Sequence, residues 1–122
     1  MRYTTAMIMS KKDTDQLYDA ITQLQYIIWE LMESDSDDVY DSAETTIHLE
    51  WIDTETADCC NFLRSGITMT GQALSMLNNV LHDIYRRCIM VRKDAAVSDE
   101  IKNKIKESEE EIHNLFILDR SC

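Results

Sequence analysis

Two glycines and no proline occur in the 122 residues of this chain. That scarcity is the strongest constraint on its fold. An all-β domain needs many tight turns, and those turns draw on Gly, Pro and Asn-Gly pairs. A few long helices need almost none. Apolar residues at 44% and charged residues at 29% are proportions of a globular chain rather than a disordered one. At this length a single core buries roughly two thirds of the unfolded surface, with no need of a metal or disulfide. The expected fold is all-α, a small antiparallel bundle of about four helices.

The apolar spacing places the helices. Leu17, Ile21, Leu24, Ile28 and Leu31 alternate steps of four and three, the mark of one helical face. Asp13 or Thr14 is placed to cap this helix, and Asp15 puts negative charge where the dipole favours it. The helix is expected to fade over residues 34–38, where Ser and Asp side chains compete for backbone hydrogen bonds. Residues 39–53 fit two patterns. Tyr40, Ala43, Ile47 and Trp51 suit a helix, while Ile47, Leu49 and Trp51 alternate with His48 and Glu50 as in a strand. A lone strand would have no partner, so a helix is expected. From Thr54 the apolar series Leu63, Ile67, Leu74, Leu77, Leu81, Ile84, Cys88 and Val91 reads as one long helix or as one broken near Gly66. Ser98 caps a last amphipathic helix carrying Ile101, Ile105, Ile112 and Leu115.

Residues 1–12 read as an N-terminal extension and residues 13–122 as a single acidic domain. The N-terminus lacks the apolar run of a signal peptide, and no segment approaches the roughly 18 apolar residues of a membrane span. Cys59, Cys60, Cys88 and Cys122 show no framework spacing, which suits free thiols in the cytosol or another reducing compartment.

Motifs for chemistry are weak. Glu110-x-x-His113 is half of a helical di-iron pattern, but neither His48 nor His82 supplies the second copy. His113 is therefore expected on an exposed, charged helix face. A calcium loop starting at Asp35 fails because Tyr40 and Thr46 stand where Gly and Glu are required. No phosphate loop or nucleophile triad is visible. The expectation is a non-enzymatic protein with no cofactor and no bound metal, a metal-dependent helical enzyme being the remotest alternative.

Charge is the informative feature. Lys and Arg are absent from Asp13 through Leu63, a stretch holding fourteen acids. The other nine acids all follow residue 63, where nine bases offset them. The net charge of −11 is thus −14 from this stretch, zero from the remainder after it, and +3 from Arg2, Lys11 and Lys12. Such a field repels nucleic acid and attracts basic surfaces, speeding their encounter. Arg86, Arg87, Arg92 and Lys93 read as helix-end charge or internal pairs rather than as a nucleic-acid patch.

At 100° per residue, Tyr18, Tyr26 and Trp29 fall 100–180° from the Leu17 face. Aromatic anchors among acids have the composition of a binding surface. The expected partner-binding residues are Tyr18, Tyr26, Trp29, Glu30, Glu33, Asp35, Asp37, Asp38, Asp41 and Glu44. The expected partner is a basic protein, in the sharper form a nucleic-acid-binding protein blocked by acids standing in for phosphates. No direct nucleic acid or membrane contact is expected. Small acidic inhibitors of phage and mobile elements, and secretion chaperones, share this character of composition without a shared motif. The alternative is a structural or regulatory homo-oligomer, such as a homodimer through the aromatic stripe, with the acids serving solubility.

Overall fold

The computed structural model describes residues 10–33, 43–66 and 71–115. They form four helices: α1 (Lys11–Met32), α2 (Ala43–Arg64), α3 (Gly71–Arg92) and α4 (Asp99–Leu115). No strand occurs among the described residues, and helices occupy 89% of them. The expected all-α bundle is what the chain forms.

Side-chain pairs fix the directions. Tyr18 meets Arg64, Thr22 meets Cys60 and Trp29 meets Asp53, so α1 and α2 are antiparallel. Thr45 with Asp94 and Glu55 with Arg87 make α2 and α3 antiparallel. Glu30 lies near Lys104 while Gln16 and Asp19 share a groove with Asn114, so α1 and α4 are antiparallel too. α1 packs against α2 and α4, α2 also packs against α3, and α3 and α4 meet least closely. The α1–α2 hairpin therefore forms one side of the bundle.

The core follows the apolar stripes of α1 and α3. Leu17, Ile21, Leu24, Ile28 and Leu31 are all buried, as are Leu74, Leu77, Leu81, Ile84, Cys88 and Val91. Ile105 and Ile112 of α4 join them. Cys59, Cys60 and Cys88 are free thiols buried in the same core. Burial pushes Cys59 up to about 12 and raises Cys88 well above the ordinary thiol range, so both behave as small apolar groups.

Three sequence expectations need correction. The cap of α1 is Ser10, whose hydroxyl accepts from the Asp13 N–H at 3.1 Å, so the helix starts before Asp13 and Thr14. The second helix does not stop near Asp53: α2 runs unbroken to Arg64, and the break lies at Ser65–Gly66. No residue between Asp53 and Arg64 offers a stop, whereas Gly66 adopts φ +80°, the left-handed conformation that ends helices. His113, expected on an exposed face, is half-buried against Tyr85, their ring centroids 6.2 Å apart, because α4 turns this side toward α3.

Nothing lies within 4 Å of where a Cβ on Gly66 would sit. Gly66→Ala should therefore act through the backbone alone and cost about 1 kcal/mol. Urea unfolding should show this as a lower midpoint with an unchanged slope.

Loop 93–98 is tied down from α2. Buried Asp94 accepts from the Thr45 hydroxyl at 2.8 Å and from the Ala96 N–H at 2.9 Å. Ser98 then caps α4 as expected, accepting from the Ile101 N–H at 3.3 Å.

Candidate interaction surface

Residues on α1 opposite its core stripe make the outer face of the hairpin. Asp15, Asp19, Tyr26, Glu30 and Glu33 are exposed there, with Trp29 on the edge facing α2. Tyr26 is 59% exposed and Trp29 37%. Their rings meet edge to face with centroids 5.5 Å apart. The Trp29 indole Nε1 donates to Asp53 Oδ1 at 2.5 Å, which fixes its orientation from α2.

Tyr18 sits apart from this pair. It is half-buried in the α1–α2 seam, beneath the Arg64 guanidinium at 5.8 Å, and Arg64 Nη1 donates to its hydroxyl at 3.3 Å. Glu30 reaches only to 4.0 Å from Lys104 Nζ, a loose solvent-screened pair. Glu33 is the C-cap residue of α1, its backbone N–H donating to the Trp29 carbonyl at 2.8 Å. Glu44 lies in the first turn of α2, with Oε1 3.6 Å from His48 Nε2. Asp35, Asp37, Asp38 and Asp41 lie outside the described residues.

On α2 the buried positions are Thr45, Leu49, Ile52, Thr56, Cys59 and Cys60. Two threonines sit in that stripe. Thr56 satisfies its hydroxyl on the Ile52 and Asp53 carbonyls, at 2.8 and 3.0 Å, and so can be buried without penalty. Ile47 and Trp51, half of the apolar pattern expected for this helix, turn outward at 51% and 50% exposure. Glu50 and Asp58 flank them. Exposed apolar groups among acids thus continue from α1 onto α2.

A second arrangement escaped sequence reasoning. Arg87 of α3 stacks on the Trp51 ring at 4.9 Å. Its Nε lies 2.9 Å from Asp83 Oδ2 and 3.3 Å from Glu55 Oε1, and its Nη1 lies 3.3 Å from His48 Nδ1. Desolvation, a hydrogen bond shared with Asp83 and the Asp83 charge raise Glu55 to about 7, against the pull of Arg87. Asp83, although partly desolvated, is held below the usual Asp range by its bonds to Glu55 and Arg87. The Asp83–Arg87 spacing of four is legible in the sequence, but nothing local announces Glu55 as its third member.

The other arginines of α3 are likewise paired within the protein. Arg86 pairs with Asp83 at 2.6 Å, and Arg92 binds Glu109 at 3.0 Å, the latter closing one side of an approximately 390 Å³ groove between α3 and α4. Tyr85 and Ile89 line that groove with His82, Lys106 and His113. Among the described residues no three His, Cys, Asp or Glu side chains converge to hold a metal, and no helix is long and apolar enough to cross a membrane. No family model, curated protein or solved structure matches this chain.

Proposed function

We propose that this chain is a non-enzymatic acidic binding protein whose α1–α2 hairpin engages a basic protein partner. In its sharper form the partner is a nucleic-acid-binding protein, and the hairpin acids occupy the places of phosphates. The observation that carries this reading is the coincidence of two features on one side of the bundle. The base-free stretch from Asp13 to Leu63 supplies exposed Asp15, Asp19, Glu30, Glu33, Glu50 and Asp58. The same side holds Tyr26 and Trp29, the residue types that dominate binding hot spots.

Fold stability does not account for Glu30 and Glu33. Glu30 and Glu33 stand at the C-terminal end of α1, where the helix dipole disfavours negative charge by about 0.3–1 kcal/mol each. No base in the last turn offsets them. A role toward a positively charged surface does account for them, since one-sign fields steer association.

The test is capture of partners from the native host at low salt, followed by affinity measurement on the released protein. Between about 0.05 M and about 0.5 M salt the affinity should drop at least about tenfold, because screening shortens the reach of the field. A complex indifferent to salt would overturn the reading. The exposed Ile47 and Trp51 favour one competing outcome, a homo-oligomer. A dimer that persists at high salt and dissociates on Trp29→Ala or Trp51→Ala would replace the proposal.

A further inference from the structure

We infer that the partner is read through arginine rather than lysine, with a guanidinium laid on the exposed part of the Trp29 indole and paired with the neighbouring carboxylates. This rests on the reading that the hairpin takes a basic partner, and it specifies the chemistry of the group recognised.

The protein already builds this arrangement from its own residues. Trp51 carries Arg87 at 4.9 Å from its ring centroid, and that guanidinium is held at the same time by Glu55 and Asp83. Tyr18 carries Arg64 at 5.8 Å. In both cases a planar cation covers a ring at a seam between helices.

Trp29 shares with Trp51 an exposed indole and a glutamate four residues on, Glu33 standing to Trp29 as Glu55 does to Trp51. The Trp29 indole is fixed by the carboxylate of Asp53, Tyr26 stands edge-on beside it, and Glu30 and Glu33 follow on the same helix. The cation is what it lacks: among the described residues, no arginine lies over Tyr26 or Trp29. The charge map accounts for this. No base occurs from Asp13 to Leu63, and the arginines of α3 lie across the bundle from α1, facing α2 or α4.

Guanidinium suits such a corner better than ammonium. It is planar and weakly hydrated, so it can stack on an indole while its edge donates two parallel hydrogen bonds to a carboxylate. A lysine ammonium holds its water and contributes mainly point charge. At an exposed ring the cation–π contribution corresponds to about a two- to fivefold difference in affinity per site.

The probes are poly-arginine and poly-lysine peptides of equal length, titrated at low salt into Trp51→Phe protein so that Trp29 is the only indole. The arginine peptide should bind at least about twofold more tightly and alter Trp29 fluorescence. Trp29→Leu should remove the preference by weakening the arginine peptide more than the lysine peptide, while Trp29→Phe, which keeps a ring, should retain part of it. Helical circular dichroism confirms that each variant is folded. Equal affinity for the two peptides, or a preference that survives Trp29→Leu, overturns the arginine inference and leaves the acidic-surface reading standing. Failure of both peptides to bind at low salt overturns the acidic-surface reading, and the inference falls with it.

Discussion

Leu49→Ala should destabilise this protein by about 3 kcal/mol, while Ile47→Ala, two residues away, should change stability by about 0.5 kcal/mol or less. Both residues are large and aliphatic, and by composition alone they are interchangeable. Leu49 is fully buried between helices, so its truncation removes transfer free energy and leaves a cavity that rigid neighbours cannot fill. Ile47 is 51% exposed and already half in water. Urea unfolding of the two variants measures the contrast directly. Equal costs, or a larger cost at Ile47, would mean that α2 is rotated about its axis relative to the core described here.

Stability should also fall as the pH rises through about 7, and Glu55 is the cause. Its pKa is raised from the ordinary 4.5 to about 7, chiefly by desolvation and by its shared hydrogen bond with Asp83. The folded state therefore holds a proton that the unfolded chain has released. The contribution is fully present below 4.5 and is lost as the pH rises through about 7. Solvent reaches this pair at the bundle surface, so the expected loss is about 1–2 kcal/mol rather than the full conversion of the shift. Asp83 acts in the opposite sense at lower pH. Its lowered pKa contributes stability that is present above 3.8 and is lost as the pH falls through the folded value.

Arg86 and Arg87 face the same carboxylates, His48 lies against Arg87, and Glu44 lies beyond His48. The comparison is therefore best made in a His48→Gln background, which removes the imidazole that touches Arg87. There, Glu55→Gln should flatten the dependence of the urea midpoint between about pH 5 and about pH 8. An unchanged slope after that substitution would show that Glu55 does not hold the proton.

These two predictions fall where sequence reasoning was weakest. In α1 the apolar residues Leu17, Ile21, Leu24, Ile28 and Leu31 keep strict helical steps, and every one of them is buried. The same holds for Leu74, Leu77, Leu81, Ile84, Cys88 and Val91 in α3. Residues 47–52 of α2 instead read Ile, His, Leu, Glu, Trp, Ile, with apolar side chains on all sides of the helix. Such a segment has no face that periodicity can single out. Its buried stripe includes Thr45 and Thr56, residues that a hydrophobic pattern passes over. Their burial depends on hydrogen bonds to Asp94, Ile52 and Asp53, and the bond to Asp94 crosses to another element.

The candidate surface divides in the same way. The spacing of Tyr26 and Trp29 on the side of α1 away from its core was legible, because both follow from the pitch of one helix. That Tyr18 belongs to the seam under Arg64 was not, since Arg64 lies 46 residues further along the chain. Trp51, which fits the helical spacing of Tyr40, Ala43 and Ile47, stands at half exposure under Arg87, a position that spacing alone does not give.

By itself, the order of residues determined the helical class, the inward faces of α1, α3 and α4, and the gathering of fourteen acids into one base-free stretch. Those features depend on neighbours a few positions apart, through helix pitch, turn chemistry and charge count. Only the tertiary structure decided which way α2 turns, that Glu55 and Asp83 share Arg87, and that Arg87 stacks on Trp51 while Trp29 is tied to Asp53. Each of those outcomes depends on side chains brought together from different helices, where burial and pairing outweigh any local preference.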